Sequence, residues 1–299
     1  MLIRDWQPGD EAAVDALLEP ATDPLWAVQS HRLHGERRDG PRRRRTLVAV
    51  EGRELVAAAT VAANRLHSGR LWGAIEVAVG HRRQGLGRVL LDAIRDLRPA
   101  ELPIAGKVRP GSPADAFVTA VGGTVFQRCR GVQVDAGDPA LRHWCANVEP
   151  VDDVTVGPVT GLDTDTLVAA FAEMYRWVHE DWLAVTVPAA LADVSADIVA
   201  AADRSLTTGA WTNGRLAATS WVTRRPDGTL EIFAETQRRD EPRGTELLAM
   251  TVACSLTAAA DAGLGVLEFD GHVTDPHLAT IVDSSPHIGL NPLLLVEIP

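Results

Sequence analysis

The sequence predicts two tandem α/β (α+β) domains, each with a mixed, mostly antiparallel sheet flanked by helices. The chain has 299 residues, of which 46% are hydrophobic, enough to bury the cores of two ordinary domains. A strand, a helix, a hairpin, a strand, a glycine-containing loop and a helix follow one another in the first half, and a similar order recurs in the second. We place the domains at residues 1–147 and 155–299, because Asn147–Gly157 shows no clear periodicity.

The first half carries recognisable signals for each element. Asp10 is positioned to cap a helix, and the turn Glu51–Arg53 separates two apolar runs that predict a hairpin. In chain order, the predicted elements are strand Leu2–Arg4, a helix ending at Leu18, strands Thr46–Val50, Leu55–Ala63 and Leu71–Val79, helix Arg88–Leu97, strand Ile104–Val108, helix Ala114–Val121 and strand Val125–Val134.

The second half repeats this order. Its hairpin turns at Asn213-Gly214, and the segment Gly214–Ala218 resembles Gly52–Ala58 of the first hairpin. The predicted elements are strand Thr155–Val159, helices Thr164–Val178 and Pro188–Ser205, strands Gly209–Trp211, Leu216–Thr223 and Thr229–Glu235, helix Thr245–Ala262 and strand Val266–Phe269.

Composition narrows the possible partners. The net charge of −11 and the pI of about 5.3 argue against binding to nucleic acid or to an anionic membrane surface. Cys129, Cys145 and Cys254 form neither a disulfide framework nor a zinc pattern, and the histidine spacing matches no metal site, so we predict no metal. The absence of an apolar run of membrane-spanning length, and the charged start of the chain, predict a cytoplasmic protein.

A basic loop carries the clearest functional signal. The strand ending at Val79 leads into Arg82-Arg83-Gln84-Gly85-Leu86-Gly87-Arg88, and a helix follows. Such a turn directs backbone N–H groups to one spot at the positive end of a helix, and Gly85 and Gly87 allow a phosphate to approach closely. We interpret the loop as a pyrophosphate site; the alternative is a tight turn with solvated arginines.

The segment from Val77 to Gly87 resembles the acyl-CoA signature V-x-P-x-x-R-R-x-G-x-G of the GCN5-related N-acetyltransferases (GNAT), with Val79 in place of the proline. The resemblance extends over nearly all of residues 1–136. It implies acetyl-CoA as co-substrate, with backbone groups of Val77 and Val79 on the pantetheine arm. It further implies that the amides from Arg82 to Arg88 hold the pyrophosphate, and that Ile104–Val108 is the strand that splays away.

The second half resembles a degenerate copy of the same signature. Arg243-Gly244-Thr245-Glu246-Leu247-Leu248 aligns with R-G-x-G-L-G, but Glu246 and Leu248 replace both later glycines. A carboxylate at Glu246 would repel a pyrophosphate. We therefore expect this half to bind CoA poorly or not at all and to help close the acceptor pocket.

The acid–base groups are less clearly indicated. Glu76 is the only acidic residue on the strand before the loop, and the resemblance makes it a candidate base; the alternative is a charge on the outward face of the strand. The family's frequent acid, a tyrosine, would fall near Val118, where none is present. Tyr175, in the second half, is the only tyrosine in the chain. It is either the acid, contributed to the first half's site from the second half, or a core or interface residue.

These observations predict an N-acetyltransferase that moves an acetyl group from acetyl-CoA directly to the amine of a small-molecule acceptor. The alternative is a non-catalytic acyl-CoA-binding or regulatory protein, which the degenerate second loop and the missing tyrosine favour. The basic run Arg42–Arg45 could contact the 3′-phosphate of CoA or an anionic acceptor, or simply be solvated. We expect a monomer or a homodimer.

Overall fold

A computed structural model describes residues 1–18, 23, 26, 29, 31–225 and 228–299. These residues form two compact units. The first contains Met1–Phe126 together with Leu295–Pro299, and the second contains Gln127–Leu294.

The described strands fall into two seven-stranded sheets. In chain order, the strands are β1 (Leu2–Asp5), β2 (Arg44–Glu51), β3 (Glu54–Ala63), β4 (Leu71–Val77), β5 (Ile104–Val108), β6 (Thr124–Cys129), β7 (Val132–Asp135), β8 (Val154–Pro158), β9 (Thr208–Thr212), β10 (Arg215–Arg224), β11 (Leu230–Thr236), β12 (Val266–Phe269), β13 (Gly289–Leu290) and β14 (Leu293–Ile298).

Helices flank both sheets, which confirms the predicted α/β class and its tandem arrangement. Those with described bounds are α1 (Glu11–Leu18), α2 (Leu86–Asp96), α3 (Pro113–Ala120), α4 (Pro139–Ala146), α5 (Thr164–Val178), α6 (Pro188–Ala201), α7 (Gly244–Asp261) and α8 (Leu278–Ser284). Helix α4, capped by the Asp138 carboxylate, was not predicted from the sequence. No helix among the described residues is long and apolar enough to cross a membrane.

The first sheet has the strand order β1-β2-β3-β4-β5-β14-β6. Strands β1 to β4 pair antiparallel, and Gly52 provides the left-handed backbone (φ 61°) needed between β2 and β3. Strand β5 then pairs parallel to β4. This pairing covers only Leu71–Ile104 and Trp72–Ala105, after which the two strands separate. The separation confirms that Ile104–Val108 is a splayed strand.

The last strand of the chain completes the first sheet. Strand β14 lies between β5 and β6, its residues Leu295 and Val296 are buried, and the carboxylate of Glu297 pairs with Arg70 at 2.6 Å. The units therefore divide after Phe126, earlier in the chain than the predicted join, and the first unit takes its final residues from the C-terminus.

The strand predicted at Val125–Val134 is in fact two strands that belong to different sheets. Strand β6 ends at Cys129 in the first sheet, and β7 begins at Val132 in the second. Between them, Gly131 has a φ of 57°, and a Cβ there would lie 2.0 Å from the carbonyl oxygen of Asn291. Only glycine fits this turn, and hydrophobic periodicity does not reveal such a change of sheet.

The second sheet repeats the first with the order β13-β7-β12-β11-β10-β9-β8. Strands β8 to β11 pair antiparallel, and β12 pairs parallel to β11 from Leu230–Leu267 to Ile232–Phe269. Helix α7 packs its buried residues, Leu248 and Val252 among them, into the core of this unit. The repeated order of elements is therefore a repeated fold.

Replacing Leu295 by alanine should test the role of the last strand. Leu295 is 4% exposed, so the substitution should lower the free energy of unfolding by about 2–5 kcal/mol. The matched control, Leu290→Ala, removes the same atoms from a side chain that is 60% exposed. It should change the free energy of unfolding by less than about 0.5 kcal/mol. Urea unfolding measures both; equal effects would contradict a buried β14.

Candidate functional site

The site begins where β4 loses its parallel neighbour. The N–H of Ala78 donates to the carbonyl of Val56 on the β3 side at 2.8 Å. Because neighbouring residues of an antiparallel strand direct their peptide groups to opposite sides, the N–H and C=O of Val77 face the open side. The strand therefore presents backbone hydrogen-bonding groups to the cleft between β4 and β5.

Two charged side chains satisfy these groups. The Glu76 carboxylate accepts a hydrogen bond from the Val77 N–H at 3.0 Å through Oε1, and Arg82 Nε donates to the Val77 carbonyl at 2.9 Å. Arg82 Nη2 also lies 3.0 Å from Glu76 Oε1. Oε2 of Glu76 has no hydrogen-bond partner within the described ranges. The structure thus brings Glu76, Val77 and Arg82 together at the mouth of the cleft.

A group of free backbone amides follows at the start of α2. The N–H of Arg82 donates to the carbonyl of Val79, and the N–H groups of Arg88 and Val89 both donate to that of Gly85. Among the described residues, the N–H groups of positions 83–87 have no hydrogen-bond partner. They lie at the positive end of a helix, which is the arrangement that proteins use to bind phosphate groups.

The two glycines of the loop have different roles. Gly85 adopts a left-handed conformation (φ 88°), and a Cβ built on it meets no atom within 4 Å, so the space beside it is open to a ligand. A Cβ on Gly87 would lie 3.3 Å from the Phe117 ring, so this glycine lets α2 pack closely on α3. Arg83 is also left-handed (φ 63°), which bends the chain into the helix.

Most side chains of the loop make contacts within the protein. Gln84 Nε2 donates to the carbonyl of Gly80 at 3.0 Å, and Arg88 Nη2 donates to that of Ala120 at 3.0 Å. Leu86 is buried, whereas Val79 is 63% exposed. The Arg83 guanidinium is exposed and has no partner in the described part of the chain. Arg83 is therefore the loop arginine whose charge is best placed for an anionic ligand.

The fold is similar to that of several solved structures. A GCN5-related N-acetyltransferase from Sphaerobacter thermophilus aligns with a TM-score of 0.63 and 16% identity over 99% of this chain and 94% of that one. A tandem GNAT protein of the clavulanic acid biosynthesis pathway aligns with a TM-score of 0.61 and 16% identity over 99% and 97%. A GCN5-related N-acetyltransferase from Kribbella flavida aligns with a TM-score of 0.53 and 16% identity over 99% and 71%.

The chain has the GNAT fold in two tandem copies. No protein-family model and no curated protein sequence matches it, so the similarity is one of structure.

The second GNAT copy contains an equivalent carboxylate with a different partner. Oε1 of Glu235, on β11, accepts a hydrogen bond from the Thr236 N–H at 2.9 Å, as Glu76 does from Val77. In place of an arginine, His277 contacts Glu235, with Nδ1 at 2.7 Å from Oε1. This pair was not predicted from the sequence, although Glu235 and Glu76 stand at corresponding positions of the repeat.

His277 also fills the space at the start of α7. A Cβ on Gly244 would lie 2.5 Å from His277 Nε2, so the imidazole rests against the first residue of the helix. The N–H of Gly244 donates to the carbonyl of Glu241 at 3.0 Å, and Glu246 is an exposed acid in the first helical turn. The N-terminus of α7 therefore offers fewer free amides than that of α2, and the Glu246 carboxylate lies in its first turn.

Tyr175 belongs to the second unit, on α5. Its ring stacks on His179 with centroids 3.8 Å apart. Burial raises the pKa of its phenol above the usual value, and the negative charge of Asp270 raises it further. Tyr175 is therefore protonated at neutral pH, and its part as a proton donor stays a prediction. Val118 of the first unit, where the family's tyrosine would fall, is buried.

No group of three or more His, Cys, Asp or Glu side chains within the described residues could hold a metal ion.

A spectroscopic titration should test the environment of Tyr175. Because it is the only tyrosine of the chain, the tyrosinate absorbance reports on this residue alone. The tyrosinate absorbance of the native protein should not rise near pH 10, whereas that of the protein unfolded in guanidinium should rise there. Since the folded pKa is the higher one, stability should be unaffected below about pH 10 and fall above it. A native titration near pH 10 would contradict this burial.

Proposed function

We propose that the protein is an acyltransferase that moves an acetyl group from acetyl-CoA to the amine of a small-molecule acceptor by direct transfer. The observation that carries the proposal is the set of free amides at residues 83–87, which adjoins an open strand edge with a carboxylate, Glu76, at its mouth. The proposed phosphate site and the candidate base therefore lie next to each other on one strand-to-helix connection.

The first copy is suited to the pyrophosphate of CoA in three respects. Its free amides converge at the N-terminus of α2, the space beside Gly85 is open, and the Arg83 guanidinium has no competing partner among the described residues. Acetyl-CoA would supply the activated thioester. Val77, at the end of β4, and Val79, in the short 3₁₀ turn that follows it, would offer backbone groups to the pantetheine arm.

Glu76 is the proposed base. Its free Oε2 could accept the proton of the acceptor amine, directly or through one water molecule, while Arg82 and the Val77 N–H hold Oε1. The amine nitrogen would then form a bond to the acetyl carbon, the carbon–sulfur bond would break, and the CoA thiolate would take up a proton. Tyr175 is a proposed donor of that proton, and solvent water is the other.

The second copy is proposed not to bind CoA. His277 lies against Gly244, the first residue of α7, and the carboxylate of Glu246 would repel a pyrophosphate. One CoA molecule should therefore bind per chain, through the first unit.

A non-catalytic acyl-CoA-binding or regulatory protein is the second candidate. It is favoured by the contact between Arg82 and Glu76, which occupies one oxygen of the proposed base, and by Val118 at the place of the family's tyrosine. Measuring transfer itself separates the two candidates.

Calorimetry with acetyl-CoA should test the loop. The wild-type protein should bind one equivalent, and Gly85→Ala should weaken binding at least tenfold, because the new Cβ projects into the open space beside the amides. Gly9→Ala is the matched control, since Gly9 also has a positive φ (104°) and open space around it but lies before α1. It imposes comparable backbone strain and should leave the affinity unchanged.

Two outcomes would count against this assignment. Unchanged affinity in Gly85→Ala would reject the loop as the phosphate site. Two equivalent sites per chain would reject the proposed inactivity of the second copy.

Replacing Glu76 by glutamine should separate enzyme from binder. Glutamine keeps a hydrogen-bond acceptor for the Val77 N–H but cannot take up a proton at neutral pH. We expect release of free CoA thiol across a panel of amines to slow by about 10²–10⁴-fold, with little change in acetyl-CoA affinity. Glu51→Gln is the control. Glu51 lies on the neighbouring β2–β3 hairpin and contacts His81, so this variant makes the same chemical change away from the proposed base. A wild-type protein that binds acetyl-CoA and releases no thiol with any amine would support the second candidate.

A further inference from the structure

Arg32 contacts a tryptophan of β4 and has no ionic partner among the described residues. Arg32 lies in the short 3₁₀ turn His31–Leu33 of the first unit, and its guanidinium carbon is 4.7 Å from the centroid of the Trp72 ring. Within the part of the chain that the structure describes, this guanidinium forms no hydrogen bond and no ion pair. The contact with the Trp72 ring is a cation–π contact, which leaves the N–H donors available to a ligand.

Three acidic side chains of the surrounding region have cationic partners. Asp15 contacts His34, Asp23 contacts Arg109, and Asp39 contacts Arg37, Arg43 and Arg45. Arg44 donates to the carbonyl of His34 at 2.6 Å. Arg32 differs from these arginines because its guanidinium has no polar partner within the described ranges.

Its surroundings make Arg32 unfavourable as an isolated cation. Burial lowers the pKa of its guanidinium, and the positive charge of Arg44 lowers it further. A desolvated cation beside a like charge is stabilised when an anion supplies the missing partner. Carboxylates and phosphates suit a guanidinium best, because both can accept two parallel N–H hydrogen bonds.

The position of Arg32 relates it to the proposed chemistry. Trp72 is the last residue of β4 that pairs with β5. Trp72, Ala74 and Glu76 alternate along the strand and so share one face, and Ala74 packs on that face in a cluster with Leu33. Trp72, which Arg32 contacts, therefore lies on the same face of the sheet as Glu76, about 13 Å away along β4.

We propose that Arg32 binds a carboxylate or phosphate group of the acceptor, so that the acceptor is an amine with an acidic group at its far end. The inference rests on the proposed acyl transfer, which places the amine near Glu76. It adds a specificity-determining residue that the sequence did not single out.

Thiol release with three acceptors of equal chain length should test this proposal. We would use 8-aminooctanoate, 8-aminooctyl phosphate and octylamine, which differ in the group at the far end. The wild-type protein should favour at least one anionic acceptor over octylamine by tenfold or more in kcat/KM, and the preferred one identifies the anion. Arg32→Gln should remove that preference while leaving octylamine turnover unchanged, and Arg32→Lys should restore part of it.

Arg53→Gln is the matched control, since Arg53 is an exposed arginine of the same unit in the turn between β2 and β3, and it should retain the preference. An equal loss for all three acceptors in Arg32→Gln would overturn the proposal in favour of a structural role. A weaker acetyl-CoA affinity in calorimetry would overturn it by assigning Arg32 to the CoA.

If no amine is acylated, the acyl-transfer proposal fails, and equilibrium binding decides the question for Arg32. Calorimetry of the three compounds in the presence of CoA would then support the site if the anionic ones bind more tightly and Arg32→Gln abolishes the difference. Equal binding of anionic and neutral compounds to the wild-type protein would overturn it.

Discussion

The early end of the pairing between β4 and β5 is the constraint on which the site depends. After Trp72, the outer edge of β4 has no partner among the described strands, so its peptide groups need other hydrogen-bonding partners. In the first copy, Glu76 and Arg82 fill this need at Val77, and the chain then turns into α2 with the amides of residues 83–87 free. The same opening therefore positions a carboxylate, an exposed backbone edge and a helix N-terminus together.

The two copies fill the open strand edge with different side chains. This difference accounts for the proposal that only the first copy binds CoA. Both place a glutamate one residue before the open peptide group, at Glu76 and at Glu235. In the first copy its partner is Arg82, which belongs to the loop itself. In the second copy it is His277, which reaches Glu235 from the start of α8 and lies against Gly244. His277 thereby covers the N-terminus of α7. The loss of the two later glycines of the motif and the contact with His277 both disfavour phosphate binding there.

Much of this arrangement could be predicted from the sequence, because it depends on local patterns. The glycine loop and the repeated order of elements follow from periodicity and turn residues, and the splaying of Ile104–Val108 was implied by the resemblance to the GNAT signature. The change of sheet at Gly131 and the return of β14 to the first unit could not be predicted, since strand pairing over such distances leaves no local signal. The same holds for the contacts of His277 and Arg32, which depend on residues brought together only by the fold.

The central claim is that the amides of residues 83–87 hold the acyl-CoA and that the second copy does not. Backbone ¹H–¹⁵N NMR spectra recorded during a titration with acetyl-CoA observe each of these groups separately. The account predicts that the largest shifts occur at Arg83 to Gly87 and that Thr245 and Glu246 remain unchanged. Shifts centred on Thr245 and Glu246, or none at the first loop when binding is saturated, would contradict it.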